Sequence, residues 1–138
     1  PIQKGCAEVL AEGTEVALFA IGSMVETAWQ VRKKLVEKGI PTTVVNARFA
    51  MPLDKNCLRK LAESHPLLVT MEENVASGGF GEHVAAFLEE EALHTKVLRI
   101  AIPDCFVEHG SVGELKKALG LDADSVTEKI LAELPEEL

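Results

Sequence analysis

Four near-continuous apolar runs divide the chain, and each predicts a strand of a buried sheet. They are Glu15–Ile21, Thr42–Asn46, Leu67–Met71 and Val97–Ile102. Runs of this length and β-branched content are typical of parallel strands that are covered on both faces. A fifth segment, Cys6–Leu10, has a weaker apolar signal and is a candidate edge strand.

Helical periodicity fills the segments between these runs. Apolar residues three and four positions apart predict helices over Ser23–Lys38, from Asp54 to the residue before Pro66, over Glu82–Leu93, and over two stretches after Ser111 and Ser125. Pairs of Ser and Glu three residues apart predict capping boxes at Ser23/Glu26, Ser111/Glu114 and Ser125/Glu128. Asp54 is the expected N-cap of the second helix. In the first helix, Trp29 and Val36 belong to the predicted apolar face, with Trp29 in the core or in a buried interface.

The alternation of strands and helices predicts the fold class. Strand–helix units repeated along a chain are typical of an α/β protein in which a parallel sheet carries helices on both faces. The 138 residues are expected to form a single domain over 1–138, since they fall in the usual size range for one domain and no internal linker divides them.

Charge and cysteine content narrow the function classes. The formal net charge of −8 argues against nucleic-acid binding and against docking on an anionic membrane. The three cysteines Cys6, Cys57 and Cys105 form no CxxC pair, which favours reduced thiols in a cytoplasmic protein over a metal or redox motif. The N-terminus has no signal-peptide pattern. The first residue is not Met, so we expect a piece of a longer chain.

Polar residues collect where the strong strands end. The candidate rim residues are Arg48, Glu72, Glu73, Asn74, Gly78, Gly79, Gly81, Asp104 and His109. In an open parallel sheet the carboxyl ends of the strands share one edge, where ligands commonly bind. We therefore expect these residues along one rim.

The charged candidates each have a catalytic and a structural interpretation. Arg48 could bind an anion, but among so many carboxylates an ion pair is favoured. Glu72 and Glu73 could perform acid–base chemistry, since the pKa of one of two paired carboxylates can be raised. The favoured interpretation is that the two side chains point to opposite sides of a strand and form ion pairs. His109 fits a general acid or a hydrogen-bonded loop residue equally well.

The glycines Gly78, Gly79 and Gly81 could hold a phosphate at a helix N-terminus. The stretch lacks the Lys-Ser/Thr of a P-loop and the spacing of a dinucleotide-binding motif. A tight turn with close backbone packing is the favoured interpretation.

Five blocks, in order and at matching spacing, resemble a known family. They are Asn46–Phe49, Pro52–Asp54, Glu72–Asn74, Gly78–Gly81 and Asp104–Gly110. They resemble the C-terminal domain of the 1-deoxy-D-xylulose-5-phosphate synthases, which are thiamine-diphosphate enzymes related to transketolase and to the pyruvate dehydrogenase beta subunits. The resemblance implies a three-layer α/β/α fold whose five-stranded mixed sheet has four parallel strands and one antiparallel edge strand, the first.

The resemblance also implies a function for a longer, three-domain parent protein. That enzyme condenses pyruvate with glyceraldehyde 3-phosphate, releases CO2 and supplies precursors of isoprenoids, thiamine and pyridoxal. Thiamine diphosphate and Mg2+ bind in its other two domains, so no cofactor, metal or catalytic residue is expected in this chain. The expected partners are the other domains and a second copy in a homodimer, in the cytoplasm or in a plant plastid. An exposed apolar patch is expected where these partners are missing.

Two alternatives stay open at this point. One is the corresponding domain of a transketolase or of a 2-oxoacid dehydrogenase beta subunit. The other is a free-standing module that holds a phosphoester between Arg48 and the glycines of Gly78–Gly81.

Overall fold

The computed structural model of the chain describes residues 5–75, 79–102, 117 and 119–135. Its strands are β1 (Glu8–Ala11), β2 (Val16–Ala20), β3 (Thr42–Asn46), β4 (Leu67–Val75) and β5 (Lys96–Ile102). Its helices are α1 (Met24–Glu37), α2 (Lys55–Ser64), α3 (Phe80–Glu90) and α4 (Ala123–Glu133). The capping box predicted at Ser111 and the candidates Gly78, Asp104 and His109 lie outside the described residues.

The strands form one five-stranded sheet in the order β1-β3-β2-β4-β5. β1 lies at an edge and runs antiparallel to β3, whereas β2, β3, β4 and β5 are parallel to one another. This confirms the mixed sheet that the family resemblance implied. The weak apolar signal of β1 is explained by its edge position, since only part of such a strand is buried.

Two hydrophobic cores hold helices against opposite faces of the sheet, which confirms the three layers. Val16, Leu18 and Ala20 of β2 face the core that α1 and α4 share. The alternating residues Ala17 and Phe19 face the second core, which is closed by α2 and α3. Because successive side chains of a strand point to opposite faces, a central strand between two helical layers must be apolar throughout.

Helix capping follows the predictions only in part. Asp54 caps α2 by accepting a 3.0 Å hydrogen bond from the Cys57 backbone N–H, as predicted. Ser23 precedes α1 with helical backbone angles and makes no side-chain cap bond within the described part of the chain, so that capping box was wrong. α4 begins earlier than predicted because Asp122, with extended backbone, accepts hydrogen bonds from Ser125.

Two further expectations were wrong. Val36, placed on the apolar face of α1, is 45% exposed, and Trp29 is 41% exposed, because the helix buries only the narrower face that carries Met24, Thr27, Ala28, Val31 and Leu35. This rules out the core placement of Trp29, whereas its placement in a buried interface stays a prediction. β4 does not end at Met71 but extends to Val75, which pairs with Ile102 of β5 beyond an irregularity in the register. Glu72, Glu73 and Asn74 are therefore strand residues. Within the described residues, the helices are too short or too polar to cross a membrane.

Candidate functional site

The carboxylate of Glu72 lies at the N-terminus of α3. Glu72 projects from β4 to the face that α3 covers, and its exposed fraction is 0%. Its Oε1 accepts a 2.9 Å hydrogen bond from the Phe80 N–H, and its Oε2 accepts a 2.5 Å bond from the Gly81 N–H. The first turn of a helix leaves N–H groups without partners inside the helix, so Glu72 satisfies two of them from a strand.

This contact bears on whether the N-terminus of α3 can bind a phosphate. A helix N-terminus carries partial positive charge and attracts an anion, which in a phosphate site is the ligand. Here the side chain of Glu72 supplies that anion, and it uses the N–H groups of Phe80 and Gly81 that a phosphate would need. The geometry favours a structural joint between β4 and α3 over a phosphate cradle.

Gly81 permits the close approach of α3 to the sheet. A Cβ at this position would lie 2.8 Å from Thr70 Oγ1, 2.9 Å from Glu72 Oε2 and 3.1 Å from Arg99 Nε. Thr70 is fully buried, and its hydroxyl has no hydrogen-bond partner in the part of the chain that the structure describes. A Cβ at this position would therefore require either α3 or the side chains of Thr70 and Glu72 to shift.

Arg48 lies beyond the end of β3 in a strained turn. Its φ is 64°, in the left-handed region that disfavours residues with a Cβ. Its backbone N–H donates to Asn46 Oδ1 at 3.0 Å, and the Phe49 N–H donates across it to the Ala47 carbonyl oxygen at 2.7 Å. Its guanidinium lies 3.0 Å from the carboxylate of Glu8 on β1, which is the ion pair favoured from the sequence.

The predicted rim residues occupy separate environments. β2 lies between β3, which ends just before Arg48, and β4, which carries Glu72. Glu73 is half-buried on β4, Asn74 belongs to the same strand, and Gly79 is the extended N-cap residue of α3. The described contacts of Arg48 and Glu72 join each of them to its own neighbours.

Sequence reasoning missed a buried histidine at the opposite edge of the sheet. His65, which follows α2, is 7% exposed. Its Nε2 lies 2.8 Å from Thr43 Oγ1 and 3.1 Å from the Gly13 carbonyl oxygen, and its Nδ1 lies 3.0 Å from the Leu61 carbonyl oxygen. Both ring nitrogens thus hold the β1–β2 turn, β3 and α2 together. Its place before Pro66 was the only sequence signal, and that signal indicated a turn.

A groove of about 570 Å3 separates β1 from α2, and both described cysteines line it. Burial of the Cys57 thiol, together with the nearby Asp54 carboxylate, raises its pKa to about 11. The nucleophilic form of cysteine is the thiolate, and this thiol keeps its proton at neutral pH. Cys57 is therefore a poor nucleophile.

Among the described residues, no cluster of side chains is arranged as a metal–diphosphate site. Over residues 5–75, 79–102, 117 and 119–135, no group of three or more His, Cys, Asp or Glu side chains is arranged to hold a metal ion. Mg2+ prefers several oxygen ligands in octahedral geometry, and the buried carboxylate of Glu72 is already engaged with α3.

Comparison with known proteins gives consistent relatives. The 1-deoxy-D-xylulose-5-phosphate synthase of Lachnoclostridium phytofermentans is 54% identical over 127 residues, which are 91% of this chain and 20% of that protein. Synthase 1 of Geobacter metallireducens is 46% identical over 131 residues, 94% of this chain and 21% of that protein. The chain therefore spans about one fifth of the length of the curated relatives it matches.

A solved structure and a family profile agree with the fold. The structure described as a split gene transketolase, inactive beta4 tetramer, superposes with a TM-score of 0.89 at 31% identity, covering 95% of this chain and 43% of that one. The profile of the family described as "Transketolase, C-terminal domain" matches residues 5–126. The chain belongs to the transketolase C-terminal domain family.

Proposed function

We propose that this chain is the C-terminal domain of a 1-deoxy-D-xylulose-5-phosphate synthase. The observation that carries the proposal is the 54% identity to the Lachnoclostridium phytofermentans synthase over 91% of the chain. The parent enzyme is a cytoplasmic transferase that joins pyruvate to glyceraldehyde 3-phosphate with loss of CO2. Thiamine diphosphate supplies the decarboxylating chemistry there, and it binds with Mg2+ in the parts of the polypeptide outside this chain.

Within that enzyme the domain has a structural role. It packs against the other domains of its polypeptide and adds to the interface with a second copy in a homodimer. The internal engagement of its polar groups supports this role, since Glu72 uses the N–H groups of α3 and Arg48 pairs with Glu8. The chain contributes no catalytic residue to the reaction and is inactive by itself.

The second candidate is the C-terminal domain of a transketolase. The split gene transketolase shares the fold at 31% identity, which is well below the 54% identity of the synthase. The sequence evidence therefore favours the synthase. A free-standing phosphoester module has less support, because the donors it would use already hold Glu72 and Glu8.

A domain exchange tests the proposal. The C-terminal fifth of the Lachnoclostridium phytofermentans synthase is replaced by this chain, and formation of 1-deoxy-D-xylulose 5-phosphate is measured from pyruvate and glyceraldehyde 3-phosphate. We expect activity that the same enzyme lacks when its C-terminal fifth is deleted. An exchanged enzyme that is folded and dimeric but inactive contradicts the proposal, and so does equal or better function of the chain in a matching transketolase exchange.

A further inference from the structure

Met51 is the most exposed large apolar side chain of the described residues. Its exposed fraction is 62%, against 48% for Val9, 45% for Val36 and 41% for Trp29. It lies beside the exposed Pro52 in the loop between β3 and α2. A methionine side chain is flexible and polarisable, and such side chains are common at protein contact surfaces. We call Met51 and Pro52 the entry face.

The segment that leads into β1 is fixed against this face. Gly5 packs closely on Pro52, since a Cβ on Gly5 would lie 3.1 Å from Pro52 Cγ. Two residues later, the Ala7 N–H donates a 2.8 Å hydrogen bond to Asp54 Oδ2, while Asp54 Oδ1 caps α2. Ala7 also packs against the core that α2 and α3 close. The described chain therefore enters the domain beside Met51, on the α2 side of the sheet.

Exposure alone does not distinguish the two faces of the sheet. Trp29 and Val36 are also exposed, and they lie on α1, which covers the opposite face. Single exposed apolar residues are ordinary on protein surfaces. The entry face differs from α1 because the chain that leads into the domain is seated on it.

The length of the relatives indicates what lies beyond that segment. The matched relatives have about four fifths of their length outside the segment that corresponds to this chain. In the matching family this domain is the C-terminal one, so that length precedes it. The polypeptide that precedes the domain thus connects to it through Gly5, next to Pro52.

We infer that the entry face is covered by the polypeptide that precedes this domain in the synthase, an inference that rests on the proposed function. Four residues precede Gly5 in the sequence, and four fully extended residues span at most roughly 15 Å. So short a tether gives a contact with Met51 a high effective concentration. The matching surface of the preceding polypeptide is apolar, because it takes the Met51 thioether and the Pro52 ring out of water.

Oxidation of methionine tests this surface without relying on activity. Hydrogen peroxide transfers one oxygen atom to an accessible thioether, which becomes a sulfoxide, and leaves as water. The sequence has three methionines, and the other two, Met24 and Met71, are fully buried and report whether the domain is folded. Gln30→Met, at an exposed position of α1, is the matched exposed control. Peptide mass spectrometry measures each rate in the chain alone and in the exchanged Lachnoclostridium phytofermentans enzyme.

In the chain alone, Met51 and Gln30→Met should be oxidised at similar rates, and Met24 and Met71 much more slowly. In the exchanged enzyme, the rate at Met51 should fall by about tenfold or more, since an interface excludes solvent, and the rate at Gln30→Met should stay the same.

Equal rates at Met51 and Gln30→Met in the exchanged enzyme overturn the inference. Protection of Met51 that rises with the concentration of the chain alone also overturns it, because a second copy is then the occupant. Protection that is lost when the exchanged enzyme is diluted overturns it for the same reason, since a contact within one polypeptide does not depend on concentration.

The two proposals fail separately. An inactive exchanged enzyme in which Met51 is protected supports the surface and contradicts the synthase function. An active exchanged enzyme in which Met51 is oxidised as fast as in the chain alone supports the function and overturns the surface.

Discussion

The carboxylate of Glu72 accepts a 2.9 Å hydrogen bond from the backbone N–H of Phe80, eight residues later in the chain. This bond joins a central strand to the start of the helix that covers it. It places a fully buried carboxylate where a phosphate would sit in a nucleotide-binding fold. The N–H groups of Phe80 and Gly81, which could otherwise bind a phosphate, are thus occupied by a residue of the same chain.

Replacing Glu72 by Ala should destabilise the domain strongly. The substitution leaves the N–H groups of Phe80 and Gly81 buried without acceptors, and each such group costs about 1–3 kcal/mol. We expect a loss of roughly 2–5 kcal/mol in the free energy of unfolding, measured by urea denaturation. Glu72→Gln should cost less, because the amide oxygen can still accept one bond. The control Glu89→Ala, on the exposed face of α3, should change little, and an equal effect of both Ala variants contradicts the joint.

Gly81→Ala should be destabilising although Ala favours helices. Ala gains about 1 kcal/mol over Gly in helix propensity, but its Cβ would meet Thr70 Oγ1 at 2.8 Å. Overpacking of this kind costs about 1–3 kcal/mol. Thr70→Ala in the same chain should recover part of the loss, since it removes the nearest atom. Thermal unfolding of the two single variants and the double variant measures the coupling, and a Gly81→Ala protein more stable than the natural one contradicts the close packing.

Substitutions of Arg48 should change the stability of the domain more through the strained backbone than through the loss of charge. Arg48→Gly and Arg48→Ala lose the same ion pair with Glu8, but only Gly accepts a φ of 64° without strain. We expect the Gly variant to be more stable than the Ala variant by about 1 kcal/mol. Glu8→Ala, which removes the ion pair alone, should cost no more than about 1 kcal/mol because the Glu8 side chain is half exposed to solvent. Chemical denaturation of the three variants distinguishes these effects, and a Glu8→Ala loss as large as that of Arg48→Ala assigns the role to charge.

Cys57 should be slow to alkylate at neutral pH. Burial raises the pKa of its thiol to about 11, so its thiolate appears only as the pH approaches that value. Because this pKa is higher in the folded than in the unfolded chain, protonated Cys57 contributes to the free energy of unfolding. That contribution is fully present below the unfolded pKa near 9. This stability is lost as the pH rises through about 11. Iodoacetamide labelling across pH 7–11, read at the Cys57 peptide, checks this, and rapid labelling at pH 7 contradicts it.

The strands and layers were predictable because their signals are local. β2 is apolar at every position since both of its faces are covered, and the β-branched run of β3 was located with its observed bounds. The ion pair of Arg48 was also anticipated, from its acidic surroundings. The antiparallel edge strand came from the family resemblance, because its own apolar signal is weak.

The missed features depend on contacts between distant residues. Glu72 reads as a polar residue after a strand, and only the return of α3 to its side makes it an internal acceptor. His65 reads as a turn residue, yet it contacts Gly13, which is 52 positions earlier. Trp29 fits a helical apolar period, which cannot tell a core face from an exposed flank. The order of helices over the sheet decides each case, and sequence spacing does not encode that order.

Isothermal titration calorimetry of this chain with thiamine diphosphate and Mg2+ tests the central claim most directly. To bind at the start of α3, the cofactor's diphosphate would have to displace Glu72 from the N–H groups of Phe80 and Gly81. We predict no binding heat beyond dilution at millimolar cofactor. Saturable binding with a micromolar dissociation constant would contradict the assignment of this domain as a structural part of the synthase.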